Sequence, residues 1–349
     1  MRILFITRKY PPSIGGMERY SADFYVTFKD QCTLLALKKR AQVNLIWWLP
    51  YALIKGIWLA RNVEVIHLGD GVLAWLGVLL HWFTGKPISI TLHGLDVTYK
   101  KYGYQKLIWS ALKQYQAIIC VSEYTRHFVE THCNASLQNI HVIPNGVPLN
   151  NLVAPKTFSA HEKTNQITLL TVGRLVPRKG VAWFIEQVFV HLDKQYHYVI
   201  IGSGVEYNSI QEIITQKKLG ERVQLLGRVN DEVLHDCYAQ ADLLIMPNIK
   251  VDNNPEGFGI VALEAGACGL PVLAADLEGI RAAVIDGQTG FLVKSGSPEA
   301  WKQAIETQIT QIKFMMSQMN EKSIKQAVQD KYSWDVLKEQ YLNIFNTLM

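Results

Sequence analysis

The chain is short of the residues that would build a metal centre, a disulfide scaffold or a membrane span. Its 349 residues include only five cysteines, Cys32, Cys120, Cys133, Cys237 and Cys268, and no two have metal-ligand spacing. Nothing resembles a disulfide framework, so a reducing, cytoplasmic compartment is expected. Charged residues make up 19% and hydrophobic residues 49%. That balance excludes a disordered chain and leaves apolar material for two cores. No apolar run reaches the roughly 20 residues a spanning helix needs. Residues 45–60 are interrupted by Pro50, Lys55 and Gly56, and residues 72–83 are too few. The opening residues 1–7 are too short an apolar run for a signal peptide and read as a buried first strand. The three-glycine dinucleotide pattern is also missing. Ile200-Ile201-Gly202-Ser203-Gly204 comes nearest, but no acid follows at the usual distance, which disfavours a nicotinamide cofactor. There is no short-period repeat, no low-complexity tract and no recognised nucleic-acid module, so nucleic acid is not an expected partner.

What is present is unevenly spread. Residues 1–150 carry 16 Lys and Arg against 8 Asp and Glu, whereas residues 151–349 carry 19 against 22. A basic N-terminal half suits an anionic partner such as a membrane surface or a lipid phosphate, or is a solvated basic face. The same half holds Trp47, Trp48, Trp58, Trp75 and Trp82, five of the nine tryptophans. Helices carrying them either pack against a sheet or leave an interfacial patch beside the basic charge.

Short β-rich runs alternate with longer helical ones. Strands are expected at 3–7, 33–37, 63–68, 88–93, 117–121 and 141–143 in the N-terminal half, and at 167–172, 198–201, 223–226, 243–246, 271–274 and 291–293 after it. This alternation implies parallel sheets covered on both faces. A mostly polar stretch, 150–166, reads as a linker, and helices near 298–316 and 334–348 close the chain. The expected domains are 1–150, 151–330 and a final helix, 331–349. In open α/β sheets ligands sit beyond the carboxyl ends of the strands, so the loops after strands are the informative ones.

Pro11-Pro12-Ser13-Ile14-Gly15-Gly16-Met17-Glu18 follows the first strand. Its glycines allow close backbone approach, and the next helix offers free amides to a phosphate. Gly173-Arg174-Leu175-Val176-Pro177-Arg178-Lys179-Gly180 puts cations on one loop, suited to clamping a diphosphate without a metal. Pro255-Glu256-Gly257-Phe258-Gly259-Ile260-Val261-Ala262-Leu263-Glu264 opens an apolar helix between two acids. Its amides can bind an anion, and the carboxylates can accept from vicinal hydroxyls, one from a hexose and the other from a ribose. The plainer alternative makes Glu256 a helix-dipole partner and Glu264 a solvated helix residue. His93, in Thr91-Leu92-His93-Gly94-Leu95-Asp96, can donate to a sugar hydroxyl, steady developing charge, or serve the structure alone.

Taken in order, these segments resemble the retaining glycosyltransferases of family 4, group 1 glycosyltransferases of the GT-B fold. The match adds Val121-Ser122-Glu123, Ile143-Pro144-Asn145-Gly146-Val147, Gly202-Ser203-Gly204 and Gly287-Gln288-Thr289-Gly290-Phe291-Leu292-Val293 and runs over nearly the whole chain. The resemblance implies two Rossmann-like domains facing each other across a cleft, with the final helix returning to the N-terminal domain. It implies a nucleotide sugar donor, UDP-hexose or GDP-mannose in type, no bound metal and no separate cofactor. Arg174 and Lys179 would bind the diphosphate, helped by amides of Phe258 and Gly259 and approached by Gly15 and Gly16. Glu256 would hold the transferred sugar, Glu264 the ribose, and His93 would lie near the anomeric centre. The acceptor would be lipid-linked or a saccharide, in cell-envelope or polysaccharide biosynthesis, with the enzyme cytoplasmic or peripheral on a membrane. Two departures stand out. Pro148 follows Ile143–Val147 where the family often has Asp, and Leu277-Glu278-Gly279-Ile280-Arg281-Ala282 lacks the final acid of Gly-Gly-x-x-Glu, so no role carries over to that loop. An epimerase, a sugar phosphorylase and a non-catalytic nucleotide-binding subunit are the competing readings.

Overall fold

The computed structural model describes residues 1–13, 15–37, 43–100, 103–133, 136–148, 166–307 and 321–349. The chain forms two compact units. The first comprises Met1–Val147, Asn253–Phe258 and Tyr332–Met349, and the second Pro148–Asp252 and Gly259–Lys331. Most of the expected linker at 150–166, and the later part of the helix expected at 298–316, lie outside the described residues.

In chain order the elements are β1 (Ile3–Thr7), α1 (Gly16–Thr27), β2 (Cys32–Ala36), α2 (Val43–Leu59), β3 (Val65–Leu68), α3 (Ala74–Thr84), β4 (Ile88–Leu92), α4 (Leu95–Thr98), α5 (Tyr104–Leu112), β5 (Ala117–Cys120), α6 (Glu123–Cys133) and β6 (Ile140–Val142). Then follow β7 (Ile167–Val172), α7 (Val181–Gln187), β8 (Tyr196–Ile201), α8 (Tyr207–Gln216), β9 (Val223–Gly227), α9 (Asp231–Gln240), β10 (Leu243–Met246), α10 (Ile260–Ala267), β11 (Val272–Asp276) and β12 (Gly290–Lys294). The chain closes with α11 (residues 298–307), α12 (Glu321–Tyr332) and α13 (Trp334–Thr347). All twelve expected strands are present, with ends moved by up to two residues. Sequence periodicity did not signal α12, whose apolar residues are sparse.

Each unit carries one six-stranded sheet, in the orders β2-β1-β3-β4-β5-β6 and β12-β11-β10-β7-β8-β9, and every pairing is parallel. Parallel strands need crossovers, and the helices supply them while covering both faces. The period of two shows in β1. Leu4 and Ile6 enter the cluster holding Trp48, Val78, Leu80 and Ile108 from α2, α3 and α5. Ile3 and Phe5 enter the cluster holding Tyr20, Phe24, Trp334 and Tyr341 from α1 and α13. Both strand orders reverse once, between β1 and β3 and between β7 and β10. At such a reversal the crossovers leave on opposite faces and open a crevice at the carboxyl ends of the two strands.

The α13 face is pinned by a buried polar cluster. Tyr20 Oη lies 2.8 Å from Thr91 Oγ1 and 3.0 Å from Tyr341 Oη. His67 Nδ1 lies 2.9 Å from Ser89 Oγ, and its Nε2 lies 3.2 Å from Thr91 Oγ1. Burial, with the nearby His93 charge, pushes His67 down to about 3 from its ordinary 6.5. The folded ring therefore stays neutral where the unfolded one takes up a proton. This histidine's contribution is fully present above pH 6.5 and is lost as pH falls from there toward 3. Replacing it, as in His67→Gln, should flatten the decline in unfolding free energy between pH 7 and pH 5 by about 2 kcal/mol. Urea unfolding of both proteins at the two pH values measures this, and equal declines would refute it.

Candidate active site

In the first unit the crevice at the β1–β3 reversal is lined by the loops after β1, β3 and β4. Arg8 leaves β1 and its Nε donates to Asp70 Oδ1 at 2.9 Å. Asp70 follows β3 and is fully buried, so its charge needs that guanidinium. Burial by itself would lower Arg8, but the Asp70 carboxylate more than offsets this and keeps it charged. Asp96, in the first turn of α4, accepts from the backbone N–H of His93 at 3.0 Å and of Gly71 at 2.9 Å. One carboxylate thus ties the loop after β4 to the loop after β3. Burial raises Asp96 above the usual carboxylate range, with Asp70 adding to the rise and His93 and the two amides opposing it.

His93 sits one residue beyond β4. Its Nε2 lies 3.1 Å from the carbonyl of Gly69, which can only accept, so Nε2 carries a proton. The ring stands edge-on to Tyr20, with centroids 4.8 Å apart. A neutral His93 therefore presents Nδ1 to a ligand as an acceptor. Donation to a sugar hydroxyl, expected from the sequence, requires the protonated ring. Gly15 is the N-cap residue of α1 and is extended, at φ 163°, a conformation open to any residue. Gly16 opens the helix. Glu18 in its first turn pairs with Lys9 Nζ at 3.0 Å.

The segment Asn253–Phe258 groups with this unit. Ser122 Oγ donates to the carbonyl of Gly257 at 3.0 Å and accepts from Thr125 N–H at 3.2 Å. A Cβ on Gly257 would collide with the carbonyl oxygen of His93. The Glu256-Gly257-Phe258 backbone is thereby laid on the His93–Gly94 peptide. Glu256 is half-buried, and Phe258 is buried with its ring 6.4 Å from that of Tyr332.

In the second unit the loop after β7 lies at the β7–β10 reversal. Gly173 N–H donates to Ile201 at 2.9 Å and Leu175 N–H to Ser203 at 3.0 Å. The segments after β7 and β8 are thus zipped together. The contact is so close that a Cβ on Gly202 would strike the Gly173 carbonyl. Arg174 stands exposed on this platform. Lys179 ends a single 3₁₀ turn, Pro177–Lys179, and its Cε lies 3.7 Å from where a Gly173 Cβ would be, so it folds back over the end of β7. The loop after β10 holds the base of this turn, with Ile249 N–H donating to Arg178 at 3.1 Å. Gly259, left-handed at φ 96°, caps α10 without a side-chain bond, which leaves first-turn amides for an anion. Glu264 on α10 is buried and accepts from Tyr238 Oη of α9 at 3.0 Å. It is therefore not the solvated helix residue of the plainer reading. Among the described residues no cluster of His, Cys, Asp or Glu could hold a metal ion.

Two models of protein families match the chain. One, described as "Glycosyltransferase Family 4", covers residues 14–151, and the other, "Glycosyl transferases group 1", covers 154–327. The chain belongs to the group 1 glycosyltransferases. Its relatives include an uncharacterized glycosyltransferase of Methanocaldococcus jannaschii, 26% identical over 84% of this chain and 78% of that protein. Another is the GPI3 subunit of a phosphatidylinositol N-acetylglucosaminyltransferase from Saccharomyces cerevisiae, 24% identical over 99% of this chain and 76% of that protein. The fold is GT-B. It resembles Anabaena HepE in complex with UDP and glucose, with a TM-score of 0.79, 20% identity and 99% of each chain covered. A sucrose-phosphate synthase from Thermosynechococcus elongatus matches with a TM-score of 0.80 at 20% identity, over 100% of this chain and 99% of that one.

Sequence reasoning missed Arg8, Asp70 and Tyr238 in this glycosyltransferase. Asp70 carried a signal, an acid between two glycines directly after an apolar strand. Tyr238 carried none, because it meets Glu264 only through tertiary packing of α9.

The zipped loops set a testable cost. Gly202→Ala adds a collision to a backbone at φ 147° and should destabilise the protein by about 3 kcal/mol or more. Gly287→Ala meets nothing within 4 Å and is strained only by φ 72°, so about 1 kcal/mol is expected. Urea denaturation of both variants gives the comparison, and equal losses would show that the close approach adds little to the cost of a positive φ.

Proposed function

We propose that this glycosyltransferase moves a hexose, with retention of anomeric configuration, from a nucleoside diphosphate sugar to a lipid-linked or saccharide acceptor. The observation that carries the reading is the loop platform of the second unit. Arg174 is exposed and Lys179 is folded over the end of β7, both at the reversal of strand order where α/β sheets take ligands. Two cations above tightly packed backbone are suited to a diphosphate, and on this reading they replace a metal. Glu264, oriented by Tyr238, would accept from the ribose hydroxyls. Glu256 would hold the hexose, with the amides of Phe258 and Gly259 and the α1 start at Gly15 and Gly16 adding phosphate contacts. The HepE complex with UDP and glucose supports a UDP-hexose donor, with a GDP-mannose type as the alternative. The phosphatidylinositol named for the yeast relative supports a lipid-linked acceptor, and the proposed setting is cell-envelope or polysaccharide synthesis.

In the proposed reaction the bond between the anomeric carbon and the diphosphate oxygen breaks. The acceptor oxygen bonds to that carbon on the same face, and its proton passes to the leaving phosphate. Charge grows on the diphosphate as the bond breaks, so Arg174 and Lys179 interact more strongly with the transition state than with the bound donor. His93, held by Asp96 and Gly69, would face the anomeric centre.

The roles predict different kinetic signatures. Arg174→Ala and Lys179→Ala should each lower kcat by about 100-fold or more. Glu264→Gln, and more mildly Tyr238→Phe, should raise the donor Kd with a smaller change in kcat, because ribose contacts are alike before and during reaction. The checks are a thermal-shift panel of nucleoside diphosphates and their sugars, then steady-state kinetics with the donor it identifies. Near wild-type turnover in both cation variants would remove the phosphate assignment. Unchanged donor affinity in Glu264→Gln would remove the ribose assignment alone.

A further inference from the structure

Helix α2 buries one apolar face and exposes another. Trp48 and Ala52 are buried in the core, with Leu45, Leu49, Leu53 and Ile57 packed against it. Gly56 gives Leu80 of α3 room to approach: a Cβ there would come within 2.9 Å of the leucine methyl. The helix is therefore firmly seated. Its outer stripe is nonetheless apolar: Trp47 is 79% exposed, Tyr51 54%, Ile54 72% and Trp58 53%. The spacing of four, three and four residues puts these side chains on one face. Helix α3 packs alongside and adds exposed Trp82 and Phe83. Trp82 Nε1 donates to Gln114 Oε1 at 3.0 Å, so the indole's polar edge is satisfied while the ring remains exposed. A soluble surface rarely leaves large aromatics clustered this way without a partner. Packing against the sheet, one of the two readings of the tryptophan-rich segments, thus holds for Trp48 but not for Trp47, Trp58 or Trp82.

Charge identifies the partner. Residues 31–122 contain ten Lys and Arg and only three acids, Glu64, Asp70 and Asp96. Asp70 and Asp96 are buried, and Glu64 accepts from the backbone N–H of Arg2. Helices α2, α3 and α5 contain no acid. Lys55 lies over the Trp58 ring, 4.1 Å from its centroid, and Lys106 and Lys113 are exposed on and just after α5. Trp and Tyr beside Lys, with no acid among them, is the composition that settles at the headgroup level of an anionic bilayer. No described helix is long and apolar enough to cross one. We propose that the α2–α3 face docks this protein on an anionic membrane surface, with α2 lying in the interfacial plane and the Trp47–Trp58 stripe inserted.

Vesicle flotation tests this without any nucleotide sugar, so its outcome is independent of the transferase reading. The full chain should float with phosphatidylcholine vesicles containing phosphatidylglycerol at low salt, and markedly less with phosphatidylcholine alone or at high salt. Trp47→Ser/Ile54→Ser/Trp58→Ser removes exposed side chains, so it should keep the wild-type melting temperature while its vesicle affinity falls by about tenfold or more. Either of two results overturns the proposal: no flotation of wild type at low salt, or equal flotation of the triple variant. Concentration-dependent self-association that the triple variant abolishes, without flotation, would assign the face to a second copy of the chain instead.

Discussion

The candidate sites depend on backbone approaching backbone more closely than any side chain allows. In the second unit the segments after β7 and β8 meet where a Cβ on Gly202 would strike the Gly173 carbonyl. The amides of Gly173 and Leu175 are then consumed by Ile201 and Ser203. Arg174 is exposed on these joined segments, and Lys179 folds back over them. The first unit repeats the device at Gly257, packed against the His93 carbonyl and held by Ser122. The glycines serve to bring loops together. Rigid loops hold cations at fixed spacing, and fixed spacing is what makes charge useful to a transition state.

Beneath the β1–β3 reversal, the same rigidity is obtained with buried charge. Asp70 and Asp96 both lie inside, where an ionised carboxylate is costly unless paired. Asp70 has Arg8, and Asp96 has two backbone amides. The two acids repel, and that repulsion contributes to the raised position of Asp96. Removing Arg8 would leave Asp70 buried with the Val72 amide but no opposite charge, and breaking the bonds to His93 and Gly71 would strip Asp96 of the two amides that hold it. The loops after β1, β3 and β4 are therefore one cooperative unit, and His93 takes its orientation from it. On the other face, Tyr20, Thr91, His67 and Tyr341 form a second buried cluster through which α13 closes the sheet.

The fold was legible because parallel strands buried on both faces are written as short apolar runs, and each of the twelve runs read as a strand is one. Ends were less legible. The sequence reads 63–68 as strand, but β3 begins at Val65, after a 3₁₀ turn at Ala60–Asn62. Glu264 could not be placed in or out of water from sequence. Its helix is buried from Ala262 to Ala267, so no polar face marks the periodicity. The tryptophan-rich segments divide between burial (Trp48) and exposure (Trp47, Trp58 and Trp82) for a physical reason. An amphipathic pattern separates polar from apolar faces, and α2 has apolar residues on both, which sequence alone cannot rank by depth.

A resemblance at about a quarter identity fixes the architecture, and on the proposed reading the same glycine contacts that build it also shape the phosphate site. It leaves the sugar and base unspecified for the same reason. On the proposed reading, Arg174, Lys179 and the Gly259 helix start would act on the diphosphate, the part every nucleotide sugar shares. A diphosphate demands fixed cations and amides, which restrict the backbone and leave a recognisable trace in sequence. A base or a hexose is discriminated by a few side chains whose loss leaves the fold intact, so nothing in the packing holds their identity constant. On the same reading, specificity would reside in residues like Glu256, while the glycine-locked loops would hold the groups that act on the diphosphate.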